Sequence, residues 1–146
     1  MANSLARGRD EGKGERHGTL RRWFLPCRLD LRELVRVVEV ADDATDALDA
    51  ALGIDAVLGA VGPYDRLESS LALALGREGG EARARREAAV ALGNVYRLMG
   101  RTEAARRWLE EARGDAGDRI AARAIAGLAT VDLVEGDLGQ ARAGYE

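Results

Sequence analysis

Residues 92–112, LGNVYRLMGRTEAARRWLEEA, carry a spacing of small and large side chains that returns later in the chain. With a shift of 36 residues, eight positions between 83 and 110 meet identical residues between 119 and 146, including the glycines Gly100 and Gly136. A shift of 38 residues in the other direction matches five positions between 51 and 74. Self-similarity at a period of about 20–50 residues is typical of solenoids. The repeat therefore predicts a stack of similar structural units.

The composition favours helical units. Ala, Leu, Arg and Glu are abundant and are strong helix formers, whereas aromatic residues make up 4% of the chain. Two prolines interrupt the sequence, and Gly62-Pro63 is typical of one helix ending before the next begins. At 146 residues the chain is long enough for one domain with its own core. We therefore expect an all-α fold, an alpha-alpha superhelix built as a solenoid of antiparallel helical hairpins.

The distribution of apolar residues divides the chain into two regions. Residues 1–28 begin with a glycine-rich, charged stretch and are expected to form a disordered or irregular arm, since little surface is available to offset the entropy of ordering. Residues 29–146 are expected to form the helical domain, because apolar residues recur there at helical spacing. A first helix is expected over 31–41. The repeats that follow are predicted at roughly 44–76, 81–113 and 118–146, the last incomplete.

Local signals indicate where individual helices begin and end. Thr102 and Asp118 each precede a helical pattern and are expected to be N-caps. Gly100 is expected to take the left-handed backbone that ends a helix, and Gly136 ends the next long helix.

The repeat resembles the tetratricopeptide repeat, whose pattern is Trp-x2-Leu-Gly-x2-Tyr, then Ala-x3-Phe, then Pro. Ala89 takes the place of the Trp, Leu109 takes that of the Phe, and the final Pro is absent. The first repeat keeps the turn at residues 62–64 but has Asp55 at the glycine position and Leu67 at the alanine position. The third repeat is a fainter copy. In the middle repeat the matching residues are Leu92, Gly93, Tyr96 and Ala105.

This resemblance implies a function in protein–protein interaction. Such arrays present the first helix of each repeat along a concave groove, where a peptide or partner protein binds. The spacings of 36 and 38 residues are similar to those of arrays in large bacterial signalling ATPases and transcriptional activators. Gly93 and Ala105 are expected to face each other where two helices cross. The side-chain amide of Asn94 can pair with a peptide backbone, and the arginines can pair with carboxylates. By analogy with such arrays, the candidate groove residues are Asp49, Glu87, Asn94, Arg97, Arg123 and Thr130.

The sequence predicts no catalytic residues, no metal site and no cofactor, and hence no enzyme. His17 and Cys27 are the single histidine and the single cysteine. A metal site needs several clustered donors, and a nucleophile–base pair would depend on these same two residues. The stretch GRDEGKG at 8–14 lacks the spacing and the hydroxyl residue of a phosphate-binding loop. The acidic pairs at 42–43 and 110–111 are interpreted as solvated surface or helix caps.

Arginines and aromatic residues cluster just before the predicted domain, at Arg21, Arg22, Trp23, Phe24 and Arg28. We interpret this cluster as a cap over the first repeat. The alternative is contact with nucleic acid, in which case the chain is a regulatory fragment of a larger signalling or transcription-regulating protein. Nucleic acid is disfavoured as a partner because the net charge of the chain is −3.

Three further expectations concern surfaces and location. No window approaches 18 consecutive apolar residues and no secretory signal is recognisable, so we expect no membrane partner and a cytoplasmic location. The last hairpin stops at Glu146, which predicts either self-association through an uncapped C-terminal repeat or truncation from a longer chain. Trp108 is expected to be partly buried between repeats, with a partner-binding anchor as the alternative.

Overall fold

The computed structural model describes residues 30–114 and 117–146. These ranges form seven α-helices and no strand: α1 (Leu31–Val40), α2 (Ala44–Leu58), α3 (Tyr64–Leu75), α4 (Ala82–Leu98), α5 (Thr102–Arg113), α6 (Arg119–Glu135) and α7 (Leu138–Tyr145). The all-helical class is confirmed. The predicted arm at 1–28, including His17, Cys27 and the Arg-rich cluster, lies outside the described residues.

Most of the predicted helix ends are confirmed. Asp118 caps α6, because its carboxylate accepts a hydrogen bond from the amide of Ala121 at 2.9 Å. Gly100 follows α4 with φ of 74°, and Gly136 ends α6 with φ of 84°. Both values lie in the left-handed region, which glycine adopts without the steric cost of a Cβ. The glycines shared by the repeats therefore mark turns.

The expected N-cap at Thr102 is wrong. Helix α5 begins at Thr102 itself, and the residue before it, Arg101, makes no capping hydrogen bond through its side chain. The Thr102 side chain instead lies near the carboxylate of Glu135 on α6. Arg106 first, and then this hydroxyl, hold the pKa of Glu135 below its usual range. A contact between helices has thus replaced the local cap that the sequence suggested.

Neighbouring helices pack against each other in sequence order, from α1 to α7. A second set of contacts joins alternate helices: α2 packs on α4, α4 packs on α6, and α1 packs on α3. Among the described residues, α3 and α5 do not pack on each other in this way. Helices α2, α4 and α6 therefore form one continuous layer.

Two hydrophobic clusters meet at α4. The first draws buried side chains from α1 to α4, including Leu48 and Leu71, and the second draws them from α4 to α6, including Val90 and Leu109. Trp108 is partly buried and packs against both clusters, which confirms its expected position between repeats. Burying one such leucine contributes about 1.5–3 kcal/mol to stability.

The predicted close approach of Gly93 to Ala105 is confirmed. A Cβ on Gly93 would lie 3.3 Å from the carbonyl oxygen of Ala105 and 2.7 Å from Cγ of Leu109. A Cβ on Gly127 of α6 would lie 2.9 Å from Cδ2 of the same leucine. Leu109 is fully buried and fits between two glycines on neighbouring helices. The contact from Gly127 was not expected from the sequence.

Candidate partner-binding surface

The six candidate groove residues all lie on α2, α4 and α6, the three helices of the continuous layer. Helix α2 carries Asp49. Helix α4 carries Glu87, Asn94 and Arg97, and helix α6 carries Arg123 and Thr130.

Asn94 and Arg97 are partly exposed and lie three residues apart on α4, so they share one face of that helix. A Cβ on Gly127 would lie 3.4 Å from Oδ1 of Asn94, which places this amide against α6. Nε of Arg97 is buried and has no hydrogen-bond partner among the described residues. An unsatisfied buried donor costs free energy. The Asn94–Arg97 face is therefore polar and incompletely paired.

Arg123 is exposed and lies four residues before Gly127, on the face of α6 that reaches Asn94. Its charge also acts on Asp55 of α2. Burial raises the pKa of the Asp55 carboxyl above its usual value, and the nearby Arg123 guanidinium partly offsets this shift. The charges of Asp55 on α2 and Arg123 on α6 thus interact across α4. We call Asp55, Asn94, Arg97 and Arg123 the inner polar cluster.

Asp55 belongs to this cluster although sequence reasoning did not name it as a binding residue. It is partly buried, and a Cβ on Gly59 would lie 2.8 Å from its Oδ1. The Asp55 carboxylate therefore lies against its own helix, next to Gly59. The available sequence signal was the replacement of a small residue by a charged one at the expected helix crossing.

The other three candidates make contacts within the chain. Asp49 is only 9% exposed and takes part in an interaction of its own. Glu87 pairs with Arg83 one turn earlier on α4, at 3.2 Å. The Thr130 hydroxyl donates to the carbonyl of Ala126 at 2.9 Å and lies 2.7 Å from the hydroxyl of Tyr145 on α7. Thr130 is thus placed between α6 and α7, apart from the inner polar cluster.

Two arginines bind the carboxyl ends of helices that precede them in the chain. Arg77 donates to the carbonyls of Val38 and Glu39 at the end of α1, at 2.8 and 2.9 Å. Arg85 of α4 donates at 2.8 Å to the carbonyl of Leu75 at the end of α3. The last carbonyls of a helix lack partners within it and carry its partial negative charge. These arginines therefore stabilise the order in which the helices stack.

A third arginine binds the carboxyl end of α5. Arg86 of α4 donates to the carbonyl of Ala112 at 3.0 Å, and its two terminal nitrogens pair with both carboxylate oxygens of Asp118. The Arg86 hydrogen bonds, followed by the capped amide of Ala121, lower the pKa of Asp118 to about 2. One side chain thus joins α4, the end of α5 and the start of α6.

Ion pairs also join the faces of successive helices. Arg106 of α5 binds Asp132 and Glu135 of α6, at 2.7 and 2.6 Å. Sequence reasoning missed these contacts, as it missed the arginine caps. Both Arg106 ion pairs join residues at least 26 positions apart.

A scan against protein-family models and searches of curated proteins and of solved structures gave no match. Within residues 30–114 and 117–146, no three potential ligands from His, Cys, Asp and Glu come together as a metal site would require. In the same ranges no helix combines the length and the apolarity that crossing a bilayer demands.

Proposed function

We propose that this chain is a tetratricopeptide-like protein-interaction module, not an enzyme, and that it binds a peptide or partner protein along the α2–α4–α6 layer. One observation carries the proposal: alternate helices of this layer pack on one another, whereas α3 and α5 do not. Closer packing on one side of a row of hairpins curves the row toward that side. The α2–α4–α6 layer then becomes the concave face of a superhelix, as in solenoids that bind extended partners.

The inner polar cluster supplies the binding chemistry on that face. The Asn94 amide has donors and an acceptor for a peptide backbone, and Arg97 and Arg123 offer planar donors for carboxylates or carbonyls. We propose that the module works in the cytoplasm.

The test is a selection of peptides from an unbiased display library against the full chain, followed by affinity measurement on variants. Asn94→Ala with Arg97→Ala should weaken the selected peptides by about tenfold or more, the effect of losing about 1.4 kcal/mol of binding free energy. The matched control is Arg107→Ala with Glu111→Ala, which removes an arginine and a second polar residue from exposed positions of α5.

The two double variants should keep the helicity of the parent by circular dichroism. Peptides that bind both variants as tightly as the parent would contradict the assignment of this face. Peptides that lose affinity only for the α5 variant would move the binding surface to the other layer.

A second proposal is self-association through the C-terminal hairpin. Leu133 and Val134 on α6 and Leu138 on α7 are large apolar side chains that remain exposed. Contiguous exposed apolar residues are typical of protein-binding surfaces. Sedimentation over a concentration series should show association that Leu138→Asp abolishes, and a monomer at all concentrations would contradict it.

A further inference from the structure

Helices α1 and α3 enclose a groove of about 740 Å³ that the proposed function does not use. This volume lies within the range of about 300–1,000 Å³ that is usual for ligand-binding pockets. Val40 is 64% exposed and Leu73 is 46% exposed on the walls of the groove. The other apolar lining residues are Leu31, Val35 and Val38. We call this feature the α1–α3 groove.

The exposed apolar walls favour an occupant with large apolar side chains. Glu39 and Asp65 also line the groove, as do Arg32, Arg36 and Arg66. A lining with both charges accommodates an occupant that brings cations and carbonyl groups beside its apolar residues. The α1–α3 groove lies on helices outside the α2–α4–α6 layer, so the two surfaces can act independently.

The chain itself supplies such an occupant close to the groove. Leu31, a lining residue, lies two positions after a segment of 29 residues that the structure does not describe. The densest run of large apolar side chains in that segment is Trp23-Phe24-Leu25, preceded by Arg21 and Arg22. Aromatic side chains bury large areas, about 150–250 Å² each.

The connection is long enough to reach the groove. Leu31 follows Leu25 by six positions, a connection that spans up to about 20 Å when extended. Helix α1 has ten residues and is about 15 Å long. Pro26 disfavours a helix through the junction, which leaves the preceding segment able to reverse direction.

We propose that Trp23, Phe24 and Leu25 fold back over Pro26 and occupy the α1–α3 groove of their own chain. A tethered segment on so short a connection has an effective concentration of about millimolar, which favours it over a separate partner of similar affinity. Regional charge acts in the same direction. Residues 1–36 carry nine basic and five acidic side chains, whereas residues 37–68 carry one basic and eight acidic. These opposite net charges favour approach of the arm to the stretch that runs from the end of α1 to the start of α3.

Tryptophan fluorescence tests this proposal directly, because the chain has only Trp23 and Trp108. In a Trp108→Phe protein, emission comes from Trp23 alone. We expect a blue-shifted emission that is protected from acrylamide quenching, and the same emission at every protein concentration. Introducing Leu73→Asp or Val40→Asp should shift the emission to the red and restore quenching, because each places a charge on the groove wall.

The matched control is Ile125→Asp, an equally drastic change at an exposed apolar residue of α6, a helix that contacts neither α1 nor α3. It should leave the Trp23 emission unchanged. Circular dichroism should show the parent helicity for all three aspartate variants, and the two separate groove substitutions guard against misfolding of either one.

Three outcomes would overturn the proposal. The first is a water-exposed Trp23 emission that no groove substitution changes. The second is protection that disappears on dilution, which would place the segment in the groove of a second copy. The third is protection that arises only when duplex DNA is added and disappears at high salt, which would make the Arg-rich cluster a nucleic-acid contact.

Discussion

The α2–α3 hairpin and the α4–α5 hairpin have the same topology but are packed by different residues. The α4–α5 crossing pairs Gly93 with Ala105 and encloses Leu109 between two glycines. At the equivalent positions of the α2–α3 hairpin stand Asp55, which is partly buried, and Leu67, which is fully buried. Leu71 stands at the position of Leu109 and is fully buried as well, so Leu67 adds bulk where the other hairpin has the small Ala105. The repeat thus preserves the arrangement of helices more strictly than the residues at their crossing.

The largest effect should come from the side chain that the glycines enclose. Leu109→Ala removes fully buried atoms and leaves a cavity, so we expect a loss of about 2–5 kcal/mol in the free energy of unfolding. Urea denaturation followed by circular dichroism measures it. The highly exposed Val61→Ala should cost less than about 0.5 kcal/mol. Equal losses in the two variants would contradict the packing described for α4, α5 and α6.

The second prediction concerns Gly93 at the α4–α5 crossing. The sign of the stability change caused by Gly93→Ala should depend on whether Leu109 is present. Gly93→Ala should destabilise the protein by about 1–2 kcal/mol because its Cβ would collide with Leu109. In the Leu109→Ala background the same substitution should stabilise it by up to about 1 kcal/mol, the usual gain in helix propensity. A double-mutant cycle in urea gives the coupling. Identical effects of Gly93→Ala in both backgrounds would show that the leucine does not impose the glycine.

The contributions of Asp118 and Asp55 to stability should also respond to pH in opposite directions. Asp118, which joins α4 to α6 through Arg86, has its pKa lowered to about 2. A lowered pKa in the folded state stabilises the protein above the usual aspartate pKa of about 3.9, and this stabilisation is lost as the pH falls toward 2. Arg86→Ala should weaken the loss of stability between pH 4 and pH 2. Denaturation curves at fixed pH values test this, and an unchanged acid dependence would contradict the pairing.

The smallest expected effect is at Asp55 in the first hairpin. Because burial raises its pKa, its ionisation disfavours the folded state, and its contribution to stability falls as the pH rises through the raised value. Asp55→Asn should therefore stabilise the protein near neutral pH and lose this advantage below about pH 4.

Arg123 provides the control for this site. Arg123→Gln should raise the Asp55 pKa further, since the guanidinium partly offsets the effect of burial. An NMR titration of the Asp55 carboxyl in both proteins measures the shift. A pKa that stays the same when Arg123 is replaced would remove α6 from the inner polar cluster.

Local sequence signals predicted the features that depend on near neighbours along the chain. The all-helical class, the turns at Gly100 and Gly136 and the cap at Asp118 all arise within a few residues. Thr102 shows the limit of such reasoning. A hydroxyl before a helical pattern usually caps the helix, but here Glu135 provides a partner from another helix.

The candidate surface was predicted only in outline. The sequence pattern indicates Asn94, Arg97 and Arg123, but the membership of Asp55 depends on the charge of Arg123 acting across α4. The arginine caps were missed because an arginine on a helix has the same local pattern whether it is solvated or bound to a distant carbonyl. Arg77 and Arg86 reach acceptors at least 26 residues away.

By itself the sequence determined that the chain forms helices, where they turn and that neighbouring hairpins use related spacings. Helix propensity, glycine conformations and apolar periodicity are properties of short segments and can be read directly. Only the tertiary structure decided that Leu109 lies between Gly93 and Gly127, that Arg86 joins three helices, and that a groove opens between α1 and α3. These features depend on how helices distant in sequence lie against one another, and close packing makes that arrangement sensitive to single side chains.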